Sequence, residues 1–160
     1  MPVMKLSIIQ VGKTEERFIR DGSLLFYSRI RKIMPLEIIT VDIPKNLRRK
    51  PESVQKSEES VSISERFTQG DVIVLLDEAG THMDSRGFAS FIQKTMNSGP
   101  KRIVFVIGGP WGLAADLAEK ANMIIALSRM TFSHQLVRLL FAEQLYRALT
   151  IIRGTPYHHD

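Results

Sequence analysis

The sequence predicts a single α/β domain in which a mostly parallel sheet carries helices on both faces. Short apolar runs alternate with longer amphipathic segments along all 160 residues, which is typical of this fold class. The runs Val72–Leu76 and Arg102–Ile107 are almost continuously apolar, as expected for strands that are covered on both faces. No linker-like segment divides the chain, so we expect residues 1–160 to form one domain.

Two strands and two helices are predicted in the first half of the chain. Gly12 ends the first apolar run, and the second run is rich in β-branched residues. Phe18, Leu25 and Ile30 are expected on the buried face of the first helix. In chain order, the predicted segments are a strand at 5–11, a helix at 15–33, a strand at 36–43 and a helix at 53–69.

Three strands and three helices are predicted in the second half. Asp77–Gly80 has the composition of a turn, so we expect the third strand to end at Leu76. Gly154 is expected to cap the last helix, and residues 155–160 to form a mobile tail. The predicted segments are strands at 72–76, 102–107 and 123–127 and helices at 85–97, 113–121 and 134–152.

The composition excludes several classes of protein. The chain contains no cysteine, which excludes a disulfide framework, a thiol nucleophile and a cysteine-bound metal. No apolar run approaches the roughly 18 residues that a membrane-spanning helix requires. We therefore expect a cytoplasmic protein without a membrane partner. We also expect no metal site, because His158 and His159 lack supporting carboxylates and His82 beside Asp84 is a weak candidate.

The basic residues are concentrated in one segment between two prolines. There are 22 lysine and arginine residues against 17 aspartate and glutamate residues, giving a net charge of +5. Lys45, Arg48, Arg49 and Lys50 form the densest group. Such a cluster fits phosphate groups of RNA, and it equally fits a solvated loop. The composition leaves these two interpretations open.

Ligands of parallel α/β sheets bind beyond the carboxyl ends of the strands. Two of the candidate segments carry a distinctive composition. The four candidates are Gly12-Lys13, Asp77–Gly80, Gly108–Gly112 and Ser128–His134. Gly108–Gly112 allows close approach of a ligand, or else forms a tight turn; it matches neither the dinucleotide nor the P-loop fingerprint. Ser128–His134 offers hydroxyls, a cation and an imidazole, and its backbone donors fit a purine edge. Ser133 also fits a helix N-cap.

The order and spacing of several motifs resemble one known family. The motifs are Val106–Leu113 (VIGGPWGL), Leu127–Gln135 (LSRMTFSHQ), Val137-Arg138, Ala142–Ala148 (AEQLYRA) and Arg153–His158 (RGTPYH). Together they resemble the RlmH family, bacterial methyltransferases that act on a pseudouridine of large-subunit ribosomal RNA. The resemblance is dense from Val72 onward and weaker before it. Two departures are Ser133, where relatives commonly carry proline, and Trp111, where they often carry a polar residue.

The resemblance implies a fold and an activity that composition and periodicity do not show. Members have the SPOUT fold, with a trefoil knot near the C-terminus, and act as homodimers. They bind S-adenosylmethionine in the knot and methylate N3 of a pseudouridine in 23S ribosomal RNA on assembled ribosomes. The resemblance therefore implies that the ribosome and a second copy of the chain are partners.

The resemblance also implies site residues by position. Leu76 and Ile125 would form apolar walls, Gly108 would allow close approach, and backbone groups of 125–130 would bind adenine. The full cofactor set is Leu76, Gly108, Ile125, Ala126, Leu127, Ser128, Arg129 and Met130. The target-base set is His134, Arg138, Tyr157 and His158. His134 and His158 are candidate general bases, and Arg138 is a candidate for stabilising charge on a carbonyl oxygen of the base.

Two other functions remain open at this level. A non-catalytic RNA-binding or ribosome-associated α/β protein would explain the basic excess without a cofactor. A small nucleotide hydrolase would need a carboxylate pair, which Asp77 and Glu78 offer, although adjacent side chains are expected to diverge. Glu143 and Arg147 are spaced to pair within the last helix, and they are equally able to pair across a dimer.

Overall fold

Residues 3–160 are described by the computed structural model, and they contain five strands and five α-helices. A short 3-10 turn at Leu47–Arg49 lies within the basic segment. Every predicted strand and helix is present, and those at 5–11, 85–97 and 102–107 have the predicted bounds. In chain order the elements are β1 (Lys5–Val11), α1 (Arg17–Arg31), β2 (Leu36–Val41), α2 (Glu52–Ser64), β3 (Asp71–His82), α3 (Ser85–Asn97), β4 (Arg102–Ile107), α4 (Ala115–Lys120), β5 (Met123–Ala126) and α5 (Leu136–Arg153).

The strands form one sheet in the order β2-β1-β4-β3-β5, and each neighbouring pair is parallel. This confirms the predicted parallel sheet. Because parallel strands end at the same edge, the carboxyl ends of β4, β3 and β5 lie side by side. None of the helices within residues 3–160 is long and apolar enough to cross a membrane.

Two apolar cores cover the two faces of the sheet. Along β4, Ile103 and Phe105 face the core beneath α1, α3 and α5, whereas Val104 and Val106 face the core beneath α2 and α4. This alternation with a period of two explains why the strand is apolar throughout. The placement confirms the prediction of helices on both faces.

The predicted end of the third strand is wrong. β3 continues through residues 77–80 to His82, and its register against β5 shifts there. Both Leu76 and Thr81 are paired with Ile125, so the four intervening residues form a bulge rather than a terminating turn. A Cβ at Gly80 would lie 2.7 Å from the carbonyl carbon of Ile125, which leaves room only for glycine.

The predicted buried face of α1 is wrong at two of its three positions. Ile30 is fully buried, but Phe18 is 63% exposed and Leu25 is 49% exposed. The helix is oriented by its contact with α5, where a Cβ at Gly22 would lie 2.8 Å from a methyl carbon of Leu139. Small residues permit this close approach, which the apolar spacing alone does not reveal.

The tail after α5 is folded back on the helix, contrary to the expectation of a mobile segment. Gly154 ends α5 in the left-handed conformation, with φ of +70°, which confirms the predicted cap. The Thr155 N–H then donates to the Thr150 carbonyl at 3.0 Å. The Tyr157 ring packs edge-on against Tyr146, with 4.8 Å between the ring centroids. These contacts hold the C-terminal residues against the side of α5.

Candidate functional site

A cavity of about 380 Å³ opens at the carboxyl ends of β3, β4 and β5. Leu76 and Ile107 form part of its lining where two of these strands end, and Leu127 follows the third. His134 and Val137 contribute from the beginning of α5. The volume lies within the range of about 300–1,000 Å³ that is typical of small-molecule sites. We call this cavity the strand-end pocket.

The glycine loop after β4 closes back on itself at one side of the strand-end pocket. The Gly112 N–H donates to the Gly109 carbonyl at 3.1 Å, and Gly112 has φ of +80°, which favours glycine. A Cβ at Gly108 would lie 3.0 Å from the carbonyl carbon of Gly112. Gly108 is therefore needed to bring the loop's own backbone into place, and that backbone lines the pocket.

The loop between β5 and α5 is held by its own hydroxyl groups. The Ser128 hydroxyl accepts a hydrogen bond from the Met130 N–H at 2.9 Å. The Ser133 hydroxyl accepts from the Leu136 N–H at 3.0 Å, as predicted for a capping residue, but it caps the turn before the helix, because the residue that flanks Leu136 is Gln135. Thr131 and Phe132 lie on the pocket lining between these two turns. Neither residue is among the predicted cofactor or target-base residues, although both belong to the predicted loop.

The residues proposed for the cofactor divide into two groups. Ile125 and Ala126 are buried and border a different groove, and Arg129 is exposed and lines neither cavity. Contact with a ligand through these three would have to use the backbone, and their roles stay predictions. The remaining five line the strand-end pocket and are Leu76, Gly108, Leu127, Ser128 and Met130.

Two carboxylates also line the strand-end pocket. Asp77 and Glu78 belong to the bulge of β3, and both contribute to the lining. The expectation that these adjacent side chains diverge stays a prediction, because both residues border the cavity without a contact between their carboxylates. The Asp77 carboxylate accepts from the Ala79 N–H at 2.8 Å, which shapes the bulge. The pocket thus has a negative rim beside apolar walls.

His134 is the histidine that lines the strand-end pocket. Burial, followed by the positive charge of Arg138, lowers the pKa of its imidazole below the ordinary value of 6.5, with Glu15 opposing. The imidazole is therefore neutral near pH 7, the form in which a histidine accepts a proton. Its position and its charge state both suit a general base.

Arg138 lies beneath the loop that joins β1 to α1. Its side chain is fully buried, and Nη1 donates to the Gly12 carbonyl and the Thr14 hydroxyl, each at 2.9 Å. Nη2 donates to the Val11 carbonyl. Gln135 fastens the same loop, accepting from the Glu15 N–H at 2.9 Å. In a single chain Arg138 thus holds a loop and is not part of the pocket lining, and its role toward the base stays a prediction.

The tail side chains form a polar network with the second half of α5. Glu143 and Arg147 form an ion pair within the helix, which is the first of the two arrangements that their spacing allowed. Glu143 also accepts from the Tyr157 hydroxyl at 3.1 Å. Arg147 lies over the Tyr157 ring at 4.8 Å and within 3.1 Å of Nδ1 of His158. Burial and the neighbouring Glu143 carboxylate raise the pKa of Tyr157.

The four candidate target-base residues do not converge within one chain. His134 precedes α5 and lines the pocket, whereas Tyr157 and His158 are held at Glu143 and Arg147, nine and thirteen residues further along the chain. At 1.5 Å per residue, nine to thirteen residues of helix span about 14 to 20 Å. Such a separation is too large for both groups to touch one base.

A second cavity, of about 570 Å³, lies between α1, α3 and α5. Its lining is mainly apolar and includes Phe26, Phe88, Leu139 and Leu140. Glu143, which binds the tail, stands on the same lining. We call this cavity the α1–α5 groove. It places an apolar surface directly beside the tail network.

Relatives of known family were found by sequence. Residues 4–158 match a family model described as a predicted SPOUT methyltransferase. The ribosomal RNA large subunit methyltransferase H of Cytophaga hutchinsonii is 42% identical over 156 residues, covering 98% of this chain and 100% of that protein. The protein of the same name from Parabacteroides distasonis is 40% identical over 157 residues, with 98% and 100% coverage.

Solved structures with low sequence identity share the fold. A probable methyltransferase from Bordetella pertussis Tohama I has a TM-score of 0.52 at 17% identity, covering 90% of this chain and 95% of that one. A putative methylase family protein from Neisseria gonorrhoeae has a TM-score of 0.53 at 10% identity, with 98% and 85% coverage. The family model and the sequence relatives, together with the motifs, show that the chain belongs to the SPOUT methyltransferases and, among them, to the RlmH family.

Proposed function

We propose that this chain transfers a methyl group from S-adenosylmethionine to N3 of a pseudouridine in 23S ribosomal RNA, on the assembled ribosome in the cytoplasm. The observation that carries the proposal is the strand-end pocket, where a glycine loop, a hydroxyl-bearing loop and His134 surround one cavity. Relatives named as large-subunit ribosomal RNA methyltransferases match over their full length, which supports ribosomal RNA as the substrate. The trefoil knot that the family implies stays a prediction.

The lining of the strand-end pocket fits S-adenosylmethionine. Leu76, Ile107 and Leu127 provide apolar walls, and the two loops present backbone donors and acceptors. Asp77 and Glu78 provide negative charge, which complements a ligand that carries a positive sulfonium and an ammonium group. When bound, the cofactor supplies an activated methyl group.

The chain's own residues then have three tasks. The first is to hold the N3 atom of the base in line with the methyl group at about 3 to 3.5 Å. The second is to accept the N3 proton, for which the neutral His134 imidazole at the pocket is placed. A general base positioned in this way accelerates the reaction roughly 10²- to 10⁴-fold. The third is to keep water out, which the apolar walls favour.

We also propose that the active form is a homodimer. The tail network and the pocket are too far apart to meet in one chain, so a partner would have to supply the tail to the pocket. The α1–α5 groove, with Leu139 and Leu140 partly exposed along it, offers an apolar surface for such a partner. Its position beside Glu143, which binds Tyr157, supports a contact that includes the tail.

Cofactor binding is tested by calorimetric titration with S-adenosylmethionine. The wild type is expected to bind saturably. Gly108→Ala is expected to weaken binding tenfold or more (about 1.4 kcal/mol), because the added methyl displaces the Gly112 backbone at the pocket.

Gly99→Ala is the matched control, because it adds the same methyl in open space at the opposite edge of the sheet. Because Gly99 has a positive φ, the alanine variant is expected to lose folding stability, but the substitution does not alter the pocket. Equal loss of affinity in both variants, or a folded wild type that does not bind, would contradict the assignment of the pocket.

The role of His134 is tested by the pH dependence of methyl transfer. With the pKa of His134 lowered, the wild-type rate should fall only below pH 6.5, where the imidazole becomes protonated. His134→Gln should lower kcat by about 10²- to 10⁴-fold and abolish this acidic limb. His82→Gln, at an exposed position away from the pocket, is the control. A His134→Gln variant with the wild-type rate and pH profile would rule out this base.

The homodimer is tested by sedimentation at micromolar concentration. The wild type should sediment at twice the chain mass of 18.2 kDa. Leu140→Glu introduces a charge in the α1–α5 groove and should give a monomer that no longer methylates ribosomes. Val61→Glu, at an exposed apolar position on α2, should remain a dimer. A wild type that sediments as a monomer and still methylates would exclude this arrangement.

A further inference from the structure

Trp111 is the single tryptophan of the chain, and it stands in the glycine loop. Its side chain is 45% exposed and contributes to the rim of the strand-end pocket. An indole in this position is unusual, since large aromatic rings are mostly covered in folded domains. The ring is nevertheless not free, because its N–H donates to Oε1 of Gln55 at 3.2 Å.

The Gln55 amide is fixed by three contacts that leave it a single orientation. Its nitrogen donates to the Lys50 carbonyl at 2.7 Å and makes a longer contact of 3.5 Å with the Arg48 carbonyl. The reversed amide would turn its oxygen toward two carbonyl oxygens and its N–H groups toward the indole N–H. Gln55 therefore joins the backbone of the basic segment to the ring of Trp111.

The helix that carries Gln55 also supports the glycine loop from behind. Glu59, one turn further along α2, lies against Gly109, where a Cβ would come within 3.3 Å of both carboxylate oxygens. The Ser60 hydroxyl donates to Asp116 at 2.8 Å, which connects α2 to α4. Because the loop and the N–H edge of the indole are both held, the ring has a defined orientation before any ligand binds.

The basic segment next to Trp111 presents free positive charge. Lys45, Arg48 and Arg49 are exposed, and none of the three has an ion-pair partner among the residues that the structure describes. Lys50 is paired with Glu58 at 3.0 Å. A half-exposed aromatic ring and a segment with three unpaired cations thus stand on either side of one glutamine amide.

We propose that the exposed face of Trp111 stacks against an unpaired nucleobase of the RNA, while Arg48 and Arg49 bind neighbouring phosphates. Single-stranded RNA is recognised by this combination of an aromatic platform and a basic surface. The inference rests on the proposed function, which makes RNA the substrate. It adds a binding residue at the variable position of the glycine-loop motif, where relatives often carry a polar residue.

The charge beside the indole favours RNA over the cofactor as the partner of the ring. S-adenosylmethionine carries a positive sulfonium, which the cations of the basic segment would repel. An RNA strand carries a negative phosphate at each nucleotide and is attracted by the same groups. Asp77 and Glu78, by contrast, line the same pocket and suit the cationic cofactor.

The test compares a protein-free RNA hairpin, carrying the pseudouridine in its loop, with a fully paired duplex of equal length. Because Trp111 is the only tryptophan, quenching of the protein's fluorescence reports on this ring alone. The hairpin should quench it saturably, whereas the duplex, whose bases are already stacked, should bind through phosphates with little quenching.

Binding of labelled RNA to variants completes the test. Trp111→Gln should weaken hairpin binding about 5- to 150-fold, leave duplex binding unchanged, and reduce the affinity for S-adenosylhomocysteine much less than the affinity for the hairpin. Trp111→Phe keeps an aromatic ring and should lose less affinity for the hairpin. The Arg48→Gln, Arg49→Gln double variant should bind both RNAs more weakly. It should also reduce the slope of log affinity against log salt concentration by about one to two.

Two results with the Trp111→Gln variant would overturn the stacking assignment. One is a Trp111→Gln variant that binds the hairpin as tightly as the wild type does. The other is a variant that loses affinity for S-adenosylhomocysteine instead, which would place the indole in the cofactor site. Failure of the wild type to methylate ribosomes, with hairpin quenching intact, would reject the proposed reaction and not the stacking. Methylation by a wild type that shows no quenching would reject the stacking alone.

Discussion

The common direction of the five strands is the constraint on which the site depends. Because every neighbouring pair is parallel, the loops that follow β3, β4 and β5 emerge at one edge of the sheet. The bulge of β3, the glycine loop and the hydroxyl-bearing loop thereby surround one cavity, although they are distant in sequence. An antiparallel neighbour in this part of the sheet would send one of these loops to the opposite edge.

The last helix connects this edge to the rest of the molecule. His134 lies just before its first residue and reaches the pocket, and Arg138 in its first turn inserts its guanidinium beneath the β1–α1 loop. Its middle part binds the tail through Glu143 and Arg147. The helix thus separates two groups of chemically active side chains by about 14 to 20 Å. This separation is the structural reason for proposing that two copies of the chain cooperate.

The sequence predicted the regular elements well because their periodicity is local. β1 and β4 have the predicted bounds, since buried parallel strands are recognisable from continuous apolar runs. The extension of β3 was missed because Asp77–Gly80 has turn composition, while its pairing with β5 is decided by contacts far along the chain. The motifs of the resemblance located five of the eight proposed cofactor residues on the pocket lining.

Other features of the site were beyond sequence reasoning because they depend on long-range contacts. Arg138 reaches a loop more than 120 residues earlier, and nothing in its own helix indicates that target. The tail was expected to be mobile because its own sequence indicates no partner. Tyr157 packs on Tyr146 only because the chain reverses after Gly154. The hydrogen bond between Trp111 and Gln55 likewise joins the glycine loop to a helix 56 residues earlier in the chain.

The central claim is methyl transfer to N3 of a pseudouridine, and mass spectrometry of the product tests it most directly. Ribosomes that lack the modification are incubated with the protein and S-adenosylmethionine, and the nucleosides of their 23S ribosomal RNA are then analysed. We expect one 3-methylpseudouridine per ribosome, and we expect it to form only when the protein and the cofactor are both present. Absence of a methylated nucleoside, or a methyl group on another base, would contradict it.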